Sequence, residues 1–255
     1  GLFNRTKPTT EQAAAREQLR IGADVIKVCA SGGVLSERDH PIHQQFTDAE
    51  LRAIVEVATL AERTVMAHCH GKPGMMAAIE AGVGSIEHGT YLDEEVCSAM
   101  VERGIILVPT RLIVADLMAA GQGPLTDAMW QKLVSTAERH RDAVALAHEQ
   151  GVTIAMGTDI AISTPGAPDA WGRHGHELGL LVDAGLTPLE AIESATANGP
   201  LSLGPRAPRT GQLVAGYDAD VLTVTGDPSA DVAVLADPSA ITGVWKHGVR
   251  AVGSS

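Results

Sequence analysis

Three histidines crowd one stretch of this 255-residue chain. Residues 64–91 read TVMAHCHGKPGMMAAIEAGVGSIEHGTY and carry His68, His70 and His88. Neutral imidazole is the commonest side-chain metal ligand near neutral pH. Two imidazoles that meet can hold a divalent cation, or can simply hydrogen-bond at strand ends. Their spacing alone leaves both readings open. Lys27 sits inside the apolar run ADVIKVCA, where an unpaired cation is costly to bury. Either it snorkels to water from an edge strand or it points into a site. Asp159 follows Gly157-Thr158 at the end of another apolar run, where it either caps a turn or serves chemistry.

The elements around these residues explain how they can meet. Residues 64–67 form a short apolar strand, 72–81 a helix stopped at Gly82, and 83–87 a second strand that ends on His88. Strand, helix, strand is a βαβ unit, which lays two parallel strands side by side. Parallel strands open their C-terminal ends on one face, so His68 and His88 are expected to come together there. The same reading gives strands over 23–30, 105–109 and 153–156. In the first, the period of two puts Lys27 and Cys29 on one face and Ile26 and Val28 on the other. Four of the five strand exits thus carry Lys27, His68, His88 or Asp159. Polar residues at successive strand exits are the pattern of catalytic residues in a TIM barrel.

Helices fill the intervals. Thr47 with Glu50, and Thr187 with Glu190, are capping boxes that start two of them, the second with Pro188 at the first helical position. Others are expected over 11–22, 92–103, 112–120, 127–150 and 176–184. Residues 1–9 read as irregular. Two long loops, 36–46 and 160–173, follow strand exits. His40 and His43 in the first are either part of a substrate-facing lid or solvated. His174, His176 and Glu177 lead from the second into a helix. Beyond residue 208 helical periods vanish and short β patterns follow at 211–214, 219–225, 241–245 and 250–252. We therefore expect two units, 1–208 and a small β-sheet element over 209–255. The fold class expected is α/β of the (β/α)8 TIM-barrel type with strands four to eight only.

Composition narrows the partners. A net charge of −12 without a Lys/Arg cluster argues against nucleic acid and against an anionic membrane surface. No apolar run reaches the ~18 residues of a membrane span. Three cysteines, Cys29, Cys69 and Cys97, without a CxxC pair predict reduced thiols and a cytoplasmic setting.

The motifs IKVCASGGVLS, FTDAELRAIVEVA, VMAHCHG, AGVGSIEHGTYLDEE, MGTDI and HGHELGLLVDAGLTPLEAIESAT occur in an order that resembles the amidohydrolase superfamily, within it the Xaa-Pro dipeptidase and imidazolonepropionase type. The tail TGQLVAGYDADVLTVTGDPSADV with VWKHGVRAV is similar to that family's closing strands. The resemblance runs from about residue 15 to the C-terminus. It implies a metal-dependent hydrolase that cleaves a C–N bond of a small molecule such as a dipeptide or N-acyl amino acid, holding two zinc ions or another divalent metal. Lys27 would be the lysine that takes up CO₂ to form a metal-bridging carbamate. His68 and His88 would be the fifth- and sixth-strand ligands. Asp159 would be both ligand and general base. His70, Tyr91 and Arg111 would touch the substrate. A mononuclear enzyme of cyclic amides is the alternative, with Lys27 unmodified. No HxH motif precedes Lys27, so the chain resembles the C-terminal two-thirds of such an enzyme. It is expected to be a fragment, a cleaved product or half of a split protein, inactive alone. Its partners would be a missing N-terminal segment or further copies of itself.

Overall fold

A computed structural model describes residues 11–160, 164, 167 and 170–252. The irregular segment expected over 1–9 lies outside them, as do residues 161–163, 165–166 and 168–169 of the second long loop. Helix α1 (Glu11–Arg20) leads into strand β1 (Val25–Cys29), followed by α2 (Asp48–Leu60), β2 (Thr64–Cys69), α3 (Lys72–Ala81), β3 (Ser85–His88), α4 (Glu94–Arg103) and β4 (Ile106–Val108). These four strands form one parallel sheet in the order β1-β2-β3-β4. Each crossover is a helix, as parallel pairing demands.

The ends of these elements follow local chemistry. Thr47 and Glu50 make the expected capping box on α2, and Asp93 caps α4. Gly82 and Gly104 end α3 and α4 in the left-handed region, where a residue without Cβ meets no steric cost.

The sheet has two unlike faces. Ile26, Val28, Val65, Ala67, Cys69, Ile86 and Leu107 are buried in the main core, which also takes in Leu51, Ile54, Met75, Ile79 and Met100 from the helices. The other face carries polar side chains in register. Cys29 pairs with His68, His68 with Glu87, and Glu87 with Val108. Lys27 lies on this face, opposite Met66. The expected split of Lys27 and Cys29 from Ile26 and Val28 therefore holds.

The expected strand over 153–156 shrinks to a single parallel bridge, Leu107 to Ile154. Leu107 N donates to Thr153 O at 2.9 Å and Ala155 N donates to Leu107 O at 2.9 Å, but Met156 N turns away to Ser194 O at 2.8 Å. The ladder stops there because the next donor on β4's side would be residue 109, a proline without an N–H.

Helices α5 (Arg111–Ala120), α6 (Asp127–Glu149), α7 (His176–Asp183) and α8 (Pro188–Ala195) complete the helical layer, with a short turn α9 (Gly199–Ser202) after them. Thr187 and Glu190 form the second capping box, on α8. The tail is an antiparallel sheet of β5 (Val221–Val224), β6 (Ile241–Lys246) and β7 (Val249–Val252). The strand expected over 211–214 is absent. Leu213 is 89% exposed, and a residue that finds neither a ladder nor a core has nothing to hold it extended. No helix among the described residues is long and apolar enough to cross a membrane. Cys29, Cys69 and Cys97 are free.

Candidate metal centre

Strand parity explains His68 and fails to explain His88. His68 points to the polar face from β2. His88 is the register partner of Cys69, which is fully buried in the main core, so alternation aims it at the helices. Its backbone does not allow that. His88 has φ +72°, in the left-handed region, and this turn at the strand end swings its ring to the other side. Thr110 after β4 (φ +54°) and Asp159 (φ +55°) share the conformation.

The three imidazoles meet as a result. One ring nitrogen from each of His68, His70 and His88 lies within 4.8 Å of the others. His70 and His88 stack at 4.7 Å, and His68 stands edge-on to both. His88 Nε2 is 2.8 Å from His68 Nδ1. His68 Nε2 lies 3.2 Å from the Gly32 carbonyl, His88 Nδ1 2.6 Å from Thr110 Oγ1, and His70 Nδ1 2.9 Å from Thr90 Oγ1.

Hydrogen-bond logic then assigns the protons. The Gly32 carbonyl only accepts, so His68 Nε2 carries hydrogen and Nδ1 is bare. His88 Nε2 donates to that bare nitrogen, and the Thr110 hydroxyl donates to His88 Nδ1. One proton thus lies between two ligand-type nitrogens. A cation in its place would require His88 Nδ1 to carry hydrogen instead, and the Thr110 hydroxyl, donor and acceptor both, accepts it equally well. Such partners on the far nitrogen are the usual support of a metal-bound histidine. Burial, the largest cause, holds His68, His70 and His88 below the usual histidine range, so they are neutral bases at physiological pH. The donor set fits a divalent metal.

Lys27 and Asp159 flank the cluster. Lys27 Nζ is 3.8 Å from Glu87 Oε2, and Ser85 Oγ donates to Glu87 Oε1 at 2.7 Å. Burial raises Asp159 above the ordinary aspartate range, while the charges of Lys27 and His68 pull it back. A carboxylate raised above its ordinary range is a stronger base than a free aspartate. His68, His70, His88 and Asp159 together line a cavity of about 300 Å³. Its apolar lining is Val34, Leu35, Ile113, Val114, Leu117 and Leu133. Tyr91 joins the cluster through its backbone, donating from N to His70 O at 3.0 Å. Arg111 is turned elsewhere. As the first residue of α5 it sends its guanidinium back to Leu180 O at 2.6 Å and to Asp183 at 3.3 Å, tying α5 to α7. Its side chain is spent on the scaffold rather than aimed at the histidines. The rings of His40 and His43 lie tilted to one another at 5.2 Å.

Two supporting residues escaped sequence reasoning. His140 is buried on α6 and its Nε2 donates to His88 O at 3.1 Å, steadying the left-handed turn. Burial pushes its pKa down to about 4. A histidine at helical spacing between Thr136 and Val144, in the buried stripe of α6, was the available signal. Glu177 is fully buried, and its two oxygens accept from Arg111 N at 2.8 Å and Leu112 N at 2.6 Å. It caps α5 from a helix 66 residues away, because Thr110, at the N-cap, has its hydroxyl committed to His88. No local pattern announces such a cap.

Glu177 gives a pH prediction. Burial pushes its pKa from 4.5 up to about 7, against the two N–H donors and Arg111, with Asp116 adding to the rise. Below pH ~4.5 the carboxyl is protonated in folded and unfolded chains alike. Between there and pH ~7 only the unfolded chain ionises, so this group's contribution to stability declines as pH rises, by up to about 3 kcal/mol. Denaturant unfolding at pH 5 and pH 8 should show a smaller difference in Glu177→Gln than in the wild type. An identical difference in both would show that Glu177 ionises normally in the fold.

Residues 3–251 match the model of the amidohydrolase family. Ochratoxinase of Aspergillus niger is 50% identical over 236 residues, which are 92% of this chain and 48% of that protein. Its crystal structure superposes with a TM-score of 0.86 at 43% identity, over 99% of this chain and 59% of that one. A crystal structure of a Xaa-Pro dipeptidase with methionine in the active site gives a TM-score of 0.84 at 33% identity, covering 95% and 58%. Imidazolonepropionase of Streptomyces coelicolor is 29% identical over 180 residues, 71% of this chain and 40% of that protein. The chain thus spans about half the length of the curated relatives it matches.

Proposed function

Since this chain belongs to the amidohydrolase family, we propose that it supplies the metal centre of a hydrolase that cleaves the C–N bond of a small amide. The observation that carries this reading is the convergence of His68, His70 and His88 beside Asp159 at one cavity. Its apolar lining favours a dipeptide or N-acyl amino acid with a bulky apolar group. The likeness to ochratoxinase and to a Xaa-Pro dipeptidase supports the same class. We read the parallel strands as the last five of a TIM barrel over 1–208, with 209–255 as its appended β element.

Lys27, as a carbamate, with His68, His88 and Asp159 would hold zinc or another divalent metal, two ions per site. Metal bound there would lower the pKa of a water and polarise the scissile carbonyl. Asp159 takes the proton of the attacking water and passes it to the leaving nitrogen. His70, at the exit of β2, lies beside the carbonyl and steadies it; Tyr91, past the exit of β3, stands at the substrate side. Thr110 and His140 keep His88 in place. One observation favours a mononuclear variant of this chemistry: Lys27 pairs with Glu87, as an unmodified ammonium would.

Metal analysis of the complete protein and hydrolysis of N-acyl phenylalanine test the proposal together. Chelation should abolish turnover and zinc should restore it. Two metals per chain support the carbamate form, and one supports the mononuclear form. Full turnover after the metal is stripped would end both.

A further inference from the structure

Lys132, on α6, makes three contacts with one loop. Its ammonium donates to Gly33 O at 3.0 Å, to Asp39 O at 3.2 Å and, at very short range, to Ser36 O. A lysine has three donors, and here all three go to carbonyls of the loop 33–39. No carboxylate among the described residues lies within ion-pair distance of it. The base of the loop is fixed separately. Gly32 N donates to His43 O and Gly71 N to Pro41 O. A Cβ on Gly32 would run into the backbone of His40, and one on Gly71 into that of Ile42. Between these anchors the loop has little of its own. Gly33 N donates to Asp39 Oδ1 at 3.1 Å, and the rest of its tip is gathered by Lys132.

That tip is a wall of the cavity. Val34 and Leu35 line it alongside the three histidines, and Leu35 is 44% exposed, an apolar side chain at the mouth with no core to join. Leu133, the neighbour of Lys132 in α6, lines the same cavity and is 1% exposed. One turn of α6 therefore supplies a wall directly and fastens the opposite wall.

We propose that Lys132 is a positioning residue that latches the loop 33–39 against the cavity and so fixes how tightly an apolar substrate group is held. This rests on the hydrolase reading for its consequence, but not for the latch itself. The loop carries its own reporter, the exposed Arg38, a trypsin site. Cleavage of a folded loop follows how often it opens. The complete, metal-loaded protein is compared with Lys132→Met, which keeps the stem and loses the charge, and with Lys132→Arg, which keeps the charge.

Cleavage after Arg38 should rise about tenfold in Lys132→Met and much less in Lys132→Arg, since charge-assisted hydrogen bonds are the strong ones. KM for N-acyl phenylalanine should rise about tenfold in Lys132→Met with kcat within about threefold, the signature of lost binding shared by ground and transition states. Lys132→Arg should recover most of the KM. Leu35→Ser should raise KM while leaving cleavage after Arg38 unchanged, which separates the wall from its fastening. Unchanged cleavage in Lys132→Met overturns the latch. Faster cleavage with unchanged KM overturns its role in substrate binding. If the wild type hydrolyses no amide and Lys132→Met still opens the loop, the hydrolase reading falls and the latch stands.

Discussion

Asp159→Asn is expected to lower kcat by ~10²–10⁴-fold, the usual contribution of a positioned acid–base group, with the metal still bound. The substitution is a clean one at this position. Asp159 has φ +55°, and asparagine is among the few side chains that accept the left-handed region readily. Shape, backbone and one ligand-type oxygen survive, while basicity is lost. The raised pKa of the carboxyl and its place on the cavity lining beside His68 motivate the expectation. Metal content and kcat are measured together in the complete protein. Near-wild-type turnover at full metal occupancy would reduce Asp159 to a turn residue.

Lys27→Ala should lower activity further, by ~10³-fold or more, because the several kcal/mol a second metal supplies to the transition state would go with it. The side chain is 39% exposed, and its only ion-pair partner among the described residues is Glu87 at 3.8 Å. Lys27 is half-exposed and fills no core position, so the alanine variant should fold, with some loss of stability because the buried Glu87 carboxyl loses its cation. Carbamate formation needs the neutral amine, whose nitrogen adds to the carbon of CO₂ and releases a proton. A short-chain carboxylic acid, or bicarbonate with it, should restore part of the activity by standing in for the lost anion. A high-resolution map of the metal-loaded enzyme with a free ammonium at Lys27 would remove the carbamate and leave the mononuclear form.

Much of this arrangement can be read from the chain because it is periodic or local. Alternation placed Lys27 and Cys29 on one face and Ile26 and Val28 on the other. Thr47–Glu50 and Thr187–Glu190 announce their helices through a bond that spans three residues. What stays hidden depends on partners far along the chain. The contacts of Thr110 with His88, of His140 with His88, and of Glu177 with α5 span 22, 52 and about 65 residues. Nothing in the local pattern of either partner encodes them. Parity also misleads where backbone conformation departs from it. A strict period of two sends His88 into the helices, and only its positive φ brings it to His68. The strand at 153–156 is legible as an extended segment, but its length depends on a distant partner, where Pro109 has no N–H to extend the ladder. Arg111 shows the same dependence on distant partners: its guanidinium meets Leu180 O and Asp183 on α7.

The conformation of Thr110 has a bearing on how this chain can change. Histidine and aspartate visit the left-handed region with some ease, but a β-branched side chain there is a true outlier. Such a residue costs on the order of 1–3 kcal/mol, a noticeable share of the ~5–15 kcal/mol that keeps a domain folded. Glycine or asparagine would relieve it at once. Either would also take away the hydroxyl that meets His88 Nδ1 at 2.6 Å and leave that ring free to rotate. The identity of residue 110 is thus dictated by its neighbour's imidazole, against the preference of its own backbone. Variants gathered for heat resistance and variants gathered for turnover should pull this one position in opposite directions.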